Sequence, residues 1–153
     1  MKMRVLAVLV VCVYAASAYA DDRHVSKAFE LRTRDYVRLD AFARGDARQD
    51  GIFTDDITGE FKKIIKKAFS GKEGRNMRRT IRESDFIAPT ILRVNDVYPE
   101  NIPMTTMPPT LLARLPALPQ ELAYRIIGGA LVLVDIRSNV IVDFIPDAIP
   151  KVR

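Results

Sequence analysis

The hydrophobic pattern of the chain changes near residue 85. Residues 21–85 hold 21 apolar side chains in 65 positions, whereas residues 86–153 hold 36 in 68 and contain all nine prolines. We therefore expect the second part to supply most of the core. The first part is polar, and its helices are expected to depend on docking against the second.

Helical spacing of apolar residues characterises the first part. Residues 25–42 show a loose helical spacing, and the polar residues 45–51 are a predicted loop. A sharper pattern over residues 57–69 places apolar positions on one helix face and lysines on the opposite face. These apolar positions are Ile57, Phe61, Ile64, Ile65, Ala68 and Phe69. Gly71 is typical of a helix C-terminus, and residues 73–83 predict a further short helix.

Extended structure is expected in the second part. Residues 90–95 predict an extended segment, and Pro109 favours one or two helical turns after it. Three β-rich runs with intervening turn signals then predict an antiparallel meander. The runs are residues 122–127, 130–136 and 140–145, separated by Gly128-Gly129 and by residues 137–139. Consecutive apolar residues in the last two runs indicate a sheet covered on both faces, with helix 57–69 as the expected cover of one face.

These elements define the predicted fold class as α+β. N-terminal helices are expected to pack on a small C-terminal three-stranded antiparallel β-meander. The predicted organisation has a charged, mainly helical region over residues 21–85 and a Pro-rich segment with the meander over residues 86–153. Residues 86–153 and helix 57–69 are expected to form one compact domain.

The first twenty residues have the composition of a secretory signal peptide. Lys2 and Arg4 precede an apolar run over residues 5–16, and Ala18 and Ala20 place small residues where a signal peptidase reads the chain. About 20 apolar residues are needed to span a bilayer, and this run is shorter. We therefore predict cleavage after Ala20 and export to the periplasm.

Scarcity of cysteine and histidine limits the available chemistry. The single cysteine is Cys12, which would leave with the signal peptide, so disulfides and thiolate sites are not expected. An amino-terminal Cu(II) or Ni(II) site needs histidine as the third residue, whereas His24 would be the fourth. The acidic loop starting at Asp46 has Arg48 and Ile57 where a calcium loop needs oxygen ligands. We expect no cofactor and no metal site.

Catalytic arrangements are also not evident. No serine after residue 20 lies in a Gly-x-Ser-x-Gly motif, and there is no second histidine to act as a base. Neither a glycine-rich phosphate loop nor a carboxylate pair in an apolar setting stands out. The sequence therefore predicts a protein that is not an enzyme, and no small-molecule substrate is inferred.

Positive charge is concentrated in one window. The full chain has a net charge of +5, but loss of Lys2 and Arg4 would leave 22 basic and 19 acidic residues. Residues 60–85 hold nine basic and four acidic side chains. The candidate residues for an anionic partner are Lys62, Lys63, Lys66, Lys67, Arg75, Arg78, Arg79 and Arg82. Two interpretations stay open: a solvated helix face, or a surface for an envelope protein or an anionic membrane. Nucleic acid is not an expected partner of an exported protein with so small a net charge.

Part of the meander resembles a known family. Residues 115–119, 124–135 and 140–143 are similar to the C-terminal module of RcnB-like proteins, which are small periplasmic proteins named for nickel and cobalt homeostasis. The resemblance implies the meander and the periplasm. It carries no metal ligands across, because after residue 20 only His24 offers a nitrogen ligand.

The predicted function is that of a small exported, non-catalytic accessory or binding protein. One alternative is an envelope-surface binder that uses its basic amphipathic helix. The other is a periplasmic nickel and cobalt homeostasis protein, as the resemblance implies.

Overall fold

The fold is an α+β arrangement of four helices and one three-stranded sheet, as far as its described residues extend. A computed structural model describes residues 24–39, 50–84, 91–99 and 107–150. The predicted signal peptide and most of the predicted loop over residues 45–51 lie outside these ranges. The helices are α1 (residues 24–38), α2 (Asp55–Ala68), α3 (Gly71–Ser84) and α4 (Pro109–Leu112). The strands are β1 (Leu122–Ile127), β2 (Ala130–Asp135) and β3 (Val140–Ile145).

The predicted meander is confirmed. The strands lie in the order β1-β2-β3, and both pairs are antiparallel. Gly128 and Gly129 join β1 to β2 with φ of +52° and +86°, the left-handed values that a two-residue hairpin turn demands. Strand β2 ends at Asp135, one residue earlier than expected, because the Asp135 carboxylate accepts the N–H of Arg137 at 2.9 Å and begins the turn.

A β-bulge in β3 changes which side chains face the helices. Leu133 pairs with Asp143, whereas the next residue, Val134, pairs with Ile141, so Val142 is the extra residue. Because residues opposite each other share a face, Asp143 projects on the same side as Leu133, which belongs to the helix-facing core. The bulge therefore places a carboxylate under the helices, where simple alternation would not.

Both faces of the sheet are covered, as the consecutive apolar positions predicted. The helix-facing core combines β-strand residues with the apolar side of α2. On the other face, Tyr98 packs with Ile127, Val132 and Phe144, and Leu92 packs against this group.

The predicted extended segment over residues 90–95 is only partly regular. Residues 91–93 have no regular structure, and a turn follows at Asn95, whose φ is +71°. Asparagine tolerates this backbone better than most residues. The turn directs the chain along the outer edge of β3, where Val97 forms a bridge with Val140.

An aromatic cluster joins the helices to the sheet. Phe29 of α1 lies 4.9 Å from Phe61 of α2 between ring centroids, and Phe53 lies 5.2 Å from Phe61. Tyr124 of β1 completes the cluster at 6.0 Å from Phe61 and 6.3 Å from Phe29. These rings confirm that the first predicted helix exists and that it docks on the second part of the chain, although its predicted end at Phe42 lies outside the described residues.

The corner between α2 and α3 depends on a close backbone approach. A Cβ atom at Gly74 would lie 2.1 Å from the carbonyl oxygen of Phe69, so only glycine fits there. The same carbonyl accepts a short hydrogen bond from the Arg78 guanidinium.

Within the described part of the chain, no helix is both long enough and apolar enough to cross a membrane.

Candidate functional site

The four lysines of α2 are exposed, and the apolar side of the same helix is closed against the sheet. Phe61 is 1% exposed and Ile65 is 0% exposed, and both belong to the helix-facing core. Phe69, just past the helix, is also buried. Lys62, Lys63, Lys66 and Lys67 are all exposed on the opposite side. The helix therefore offers solvent its charges and keeps its large apolar side chains in the core.

The following helix adds further cations. Arg75 and Arg79 are exposed, as predicted, and Lys72 is exposed beside them although it was not among the predicted residues. Lys72 lies within the basic window over residues 60–85, and this position is the sequence signal that could have included it. We call the exposed cations of the two helices the cationic surface: Lys62, Lys63, Lys66, Lys67, Lys72, Arg75 and Arg79.

Arg78 and Arg82 stand apart from this surface. Arg78 is half-buried and donates to the Phe69 carbonyl, so its guanidinium serves the corner between α2 and α3. Arg82 lies in α3, but its side chain is outside the described part of the structure.

One lysine of α2 lies close to an acid of the same helix. Lys63 Nζ lies 3.2 Å from Glu60 Oε2, and this pair is one turn apart on an exposed helix face. Such surface pairs contribute at most about 1 kcal/mol. On α3, Glu73 lies 3.9 Å from Arg114, and both side chains of this pair are exposed.

The spacing of the lysines has an energetic cost. Lys62 with Lys66 and Lys63 with Lys67 are like charges four residues apart, an arrangement that destabilises a helix by roughly 0.2–0.5 kcal/mol per pair. Lys66 and Lys67 lie in the last turn, where the helix dipole compensates them. Lys62 and Lys63 lie in the middle of α2, where this compensation is small.

Helix α2 is positioned by a buried carboxylate on the sheet. Asp143 is fully buried, and its Oδ2 accepts the N–H groups of Ile52 and Phe53, both at 2.9 Å. Its Oδ1 accepts the N–H groups of Asp50 at 3.2 Å and Phe144 at 2.9 Å. Three of these four donors belong to the segment that leads directly into α2. The carboxylate therefore fixes the entry of the lysine-bearing helix.

A second feature is a groove of about 620 Å³ between α1 and the first two turns of α2. His24 and Arg32 line it from α1, and Asp55, Asp56 and Glu60 line it from α2. Arg32 also donates to the carbonyl oxygen of Gly51 at 2.7 Å. Among the described residues, no group of three or more His, Cys, Asp or Glu side chains is arranged to hold a metal ion.

Two tyrosines are buried within the cores. Burial raises the pKa of Tyr124, whose hydroxyl donates to the carbonyl oxygen of Pro116 at 3.0 Å. Burial also raises the pKa of Tyr98, against the opposing effect of the Arg125 charge. The Tyr98 hydroxyl has no hydrogen-bond partner among the described residues.

Comparison of the chain with protein families, with characterised proteins and with solved structures finds no match. The resemblance to RcnB-like proteins therefore stays a prediction.

Proposed function

We propose that this protein is an exported, non-catalytic accessory protein that binds an anionic partner through its cationic surface. The observation that carries the proposal is the division of α2 into a buried apolar side and an exposed side with four lysines. Because the apolar side is occupied by the core, charge is what this helix offers to a partner.

The alternative is a solvated face with no partner, and the energetics argue against it. A helix face that serves only solubility usually alternates acidic and basic residues, which gives stabilising pairs one turn apart. Here Lys62 and Lys66 are like charges in that position, and Glu60 is close to Lys63. A partner with negative charge turns this repulsion into attraction.

The test is retention on an immobilised polyanion, poly-L-glutamate, with elution by salt. We expect the double variant Lys62→Gln/Lys66→Gln to elute at a lower salt concentration than the parent chain. The matched control is Lys27→Gln/Arg93→Gln, which removes the same charge from exposed positions on α1 and on the segment before Tyr98. The control should elute close to the parent. An equal shift in both variants would mean that net charge, and not the cationic surface, controls binding.

Export is the second part of the proposal and has its own test. The mass of the protein purified from the cell envelope fraction should correspond to a chain that begins at Asp21. A chain that retains residues 1–20, or that stays in the cytoplasmic fraction, would contradict export through a cleaved signal peptide.

A further inference from the structure

We propose that the partner of the cationic surface is the headgroup layer of an anionic phospholipid bilayer, bound at its surface without insertion of the protein. This inference rests on the proposed function and specifies its ligand. Three observations support it. The exposed side chains of α2 and α3 include many lysines, large hydrophobic side chains are not among their described exposed residues, and the apolar side of α2 is packed in the core.

Helices α2 and α3 carry no large exposed hydrophobic side chain among those that the structure describes. The large exposed hydrophobic residues lie outside these two helices: Leu31 and Leu39 on α1, Ile91 and Val97 in the segment beside β3, Leu112 on α4, which packs against α2, and Ile136 after β2. Stable protein interfaces are usually centred on buried aromatic or apolar side chains, with charges at the rim. A surface with charges and no such centre matches a layer of phosphate groups better than it matches a folded acidic protein.

Insertion is disfavoured by the same fold. An interfacial amphipathic helix buries its apolar side in the acyl-chain boundary. In α2 that side is already committed, because Phe61 contacts Phe29, Phe53 and Tyr124 in the aromatic cluster. Insertion would require this cluster to separate.

Lysine chemistry also fits a fluid headgroup layer. A lysine ammonium is a compact charge on a flexible stem, and it does not require the fixed two-point geometry that arginine exploits at a specific carboxylate. The side chain of Lys63 is 71% exposed even while it is close to Glu60. Such side chains reach many headgroups in turn without a defined pocket.

The experiment is co-sedimentation of the protein, purified with its native N-terminus, with vesicles of phosphatidylglycerol and phosphatidylcholine, and with vesicles of phosphatidylcholine alone. We expect binding to the anionic vesicles that weakens steeply as salt increases. Each lysine near an anionic surface is worth roughly a five-fold change in partitioning. Lys62→Gln/Lys66→Gln should therefore lower the partition coefficient by roughly 25-fold, and Lys27→Gln/Arg93→Gln should leave it nearly unchanged.

The mode of binding is tested with a tryptophan reporter, because the chain contains no tryptophan. Ile64→Trp places the reporter at a half-buried position beside the apolar side of α2. Vesicles with brominated acyl chains should leave its fluorescence unchanged if binding is confined to the headgroups. Strong quenching would overturn surface binding, as would equal vesicle binding by the two double variants.

The outcomes separate this inference from the proposed function. Lysine-dependent retention on poly-L-glutamate without binding to anionic vesicles would overturn the bilayer proposal and leave an acidic macromolecule as the partner. Loss of both would overturn the proposed function as well. Lysine-dependent binding to anionic vesicles without quenching would support both.

Discussion

Replacing Asp143 with asparagine should destabilise the protein far more than its conservative shape suggests. The carboxylate accepts two N–H groups at each oxygen: Asp50 and Phe144 at Oδ1, and Ile52 and Phe53 at Oδ2. An asparagine side chain keeps one oxygen and replaces the other with an amide nitrogen. Whichever way the amide is turned, two donors then face a donor.

The magnitude follows from that count. A hydrogen bond to a charged acceptor contributes about 1.5–3 kcal/mol, and a buried donor left without a partner costs about 1–3 kcal/mol. Two lost bonds would cost about 3–6 kcal/mol, and part of this is offset because a neutral amide is less costly to bury than a carboxylate. We expect the Asp143→Asn variant to lose about 3 kcal/mol of unfolding free energy, a large share of the roughly 5–15 kcal/mol typical of a domain.

Urea denaturation measures the loss, and hydrogen exchange locates it. The amides of Ile52 and Phe53 should exchange faster in the variant than its global stability requires, because they lose their acceptor. Asp96→Asn is the matched control, since Asp96 is exposed in the segment beside β3. If Asp143→Asn changes the unfolding free energy no more than this control does, the carboxylate does not hold the entry of α2 and the reasoning is wrong.

Further predictions concern the corner, the core and alkaline pH. Gly74→Ala should lower the unfolding free energy by about 1–3 kcal/mol, because its Cβ would clash with the Phe69 carbonyl. At Gly59 a Cβ meets nothing within 4 Å, so Gly59→Ala should raise the unfolding free energy by about 0.5–1 kcal/mol. Urea denaturation of both variants measures the two changes, and equal changes would contradict this prediction. Ile65→Ala, at a fully buried site, should cost about 2–5 kcal/mol in the same assay, and a loss under 1 kcal/mol would contradict its burial. Burial raises the pKa of Tyr124, so its contribution to stability is fully present below about pH 10, where the unfolded chain also keeps the phenol protonated, and is lost as pH rises further. Denaturation between pH 8 and 11 should show this decline, with a shallower decline in Tyr124→Phe; an identical decline would exclude Tyr124 as a cause.

The elements with a clear period were predictable from the sequence. Helix α2 and the three strands agree with the expected elements within two residues at each end, because apolar spacing and the Gly128-Gly129 turn act over short stretches of chain. The bulge at Val142 was not predictable in this way. It depends on how β3 pairs with β2, and an apolar run at consecutive positions does not indicate which residue is extra.

The exposed lysines of the candidate site were also predictable from helical spacing, whereas the residues that depend on tertiary contacts were not. The four lysines of α2 alternate with its apolar side, so their exposure follows from the period of the helix. The role of Arg78 does not, because its guanidinium donates to the Phe69 carbonyl at the corner, a contact that depends on how the chain turns after α2. Asp143 was likewise not singled out by the sequence, since its four donors are either 90 or more residues away or adjacent to it.

The buried carboxylate and the cationic surface are connected through α2. Asp143 holds the segment that enters the helix, and Phe53 of that segment also packs against Phe61. The apolar side of α2 is thus held to the sheet by hydrogen bonds at its entry and by rings along its length. A helix held in this way cannot exchange its core contacts for lipid without losing both. The proposed surface binding is therefore a consequence of how the helix is anchored, since charge is the one property of α2 that a partner can use while the fold stays intact.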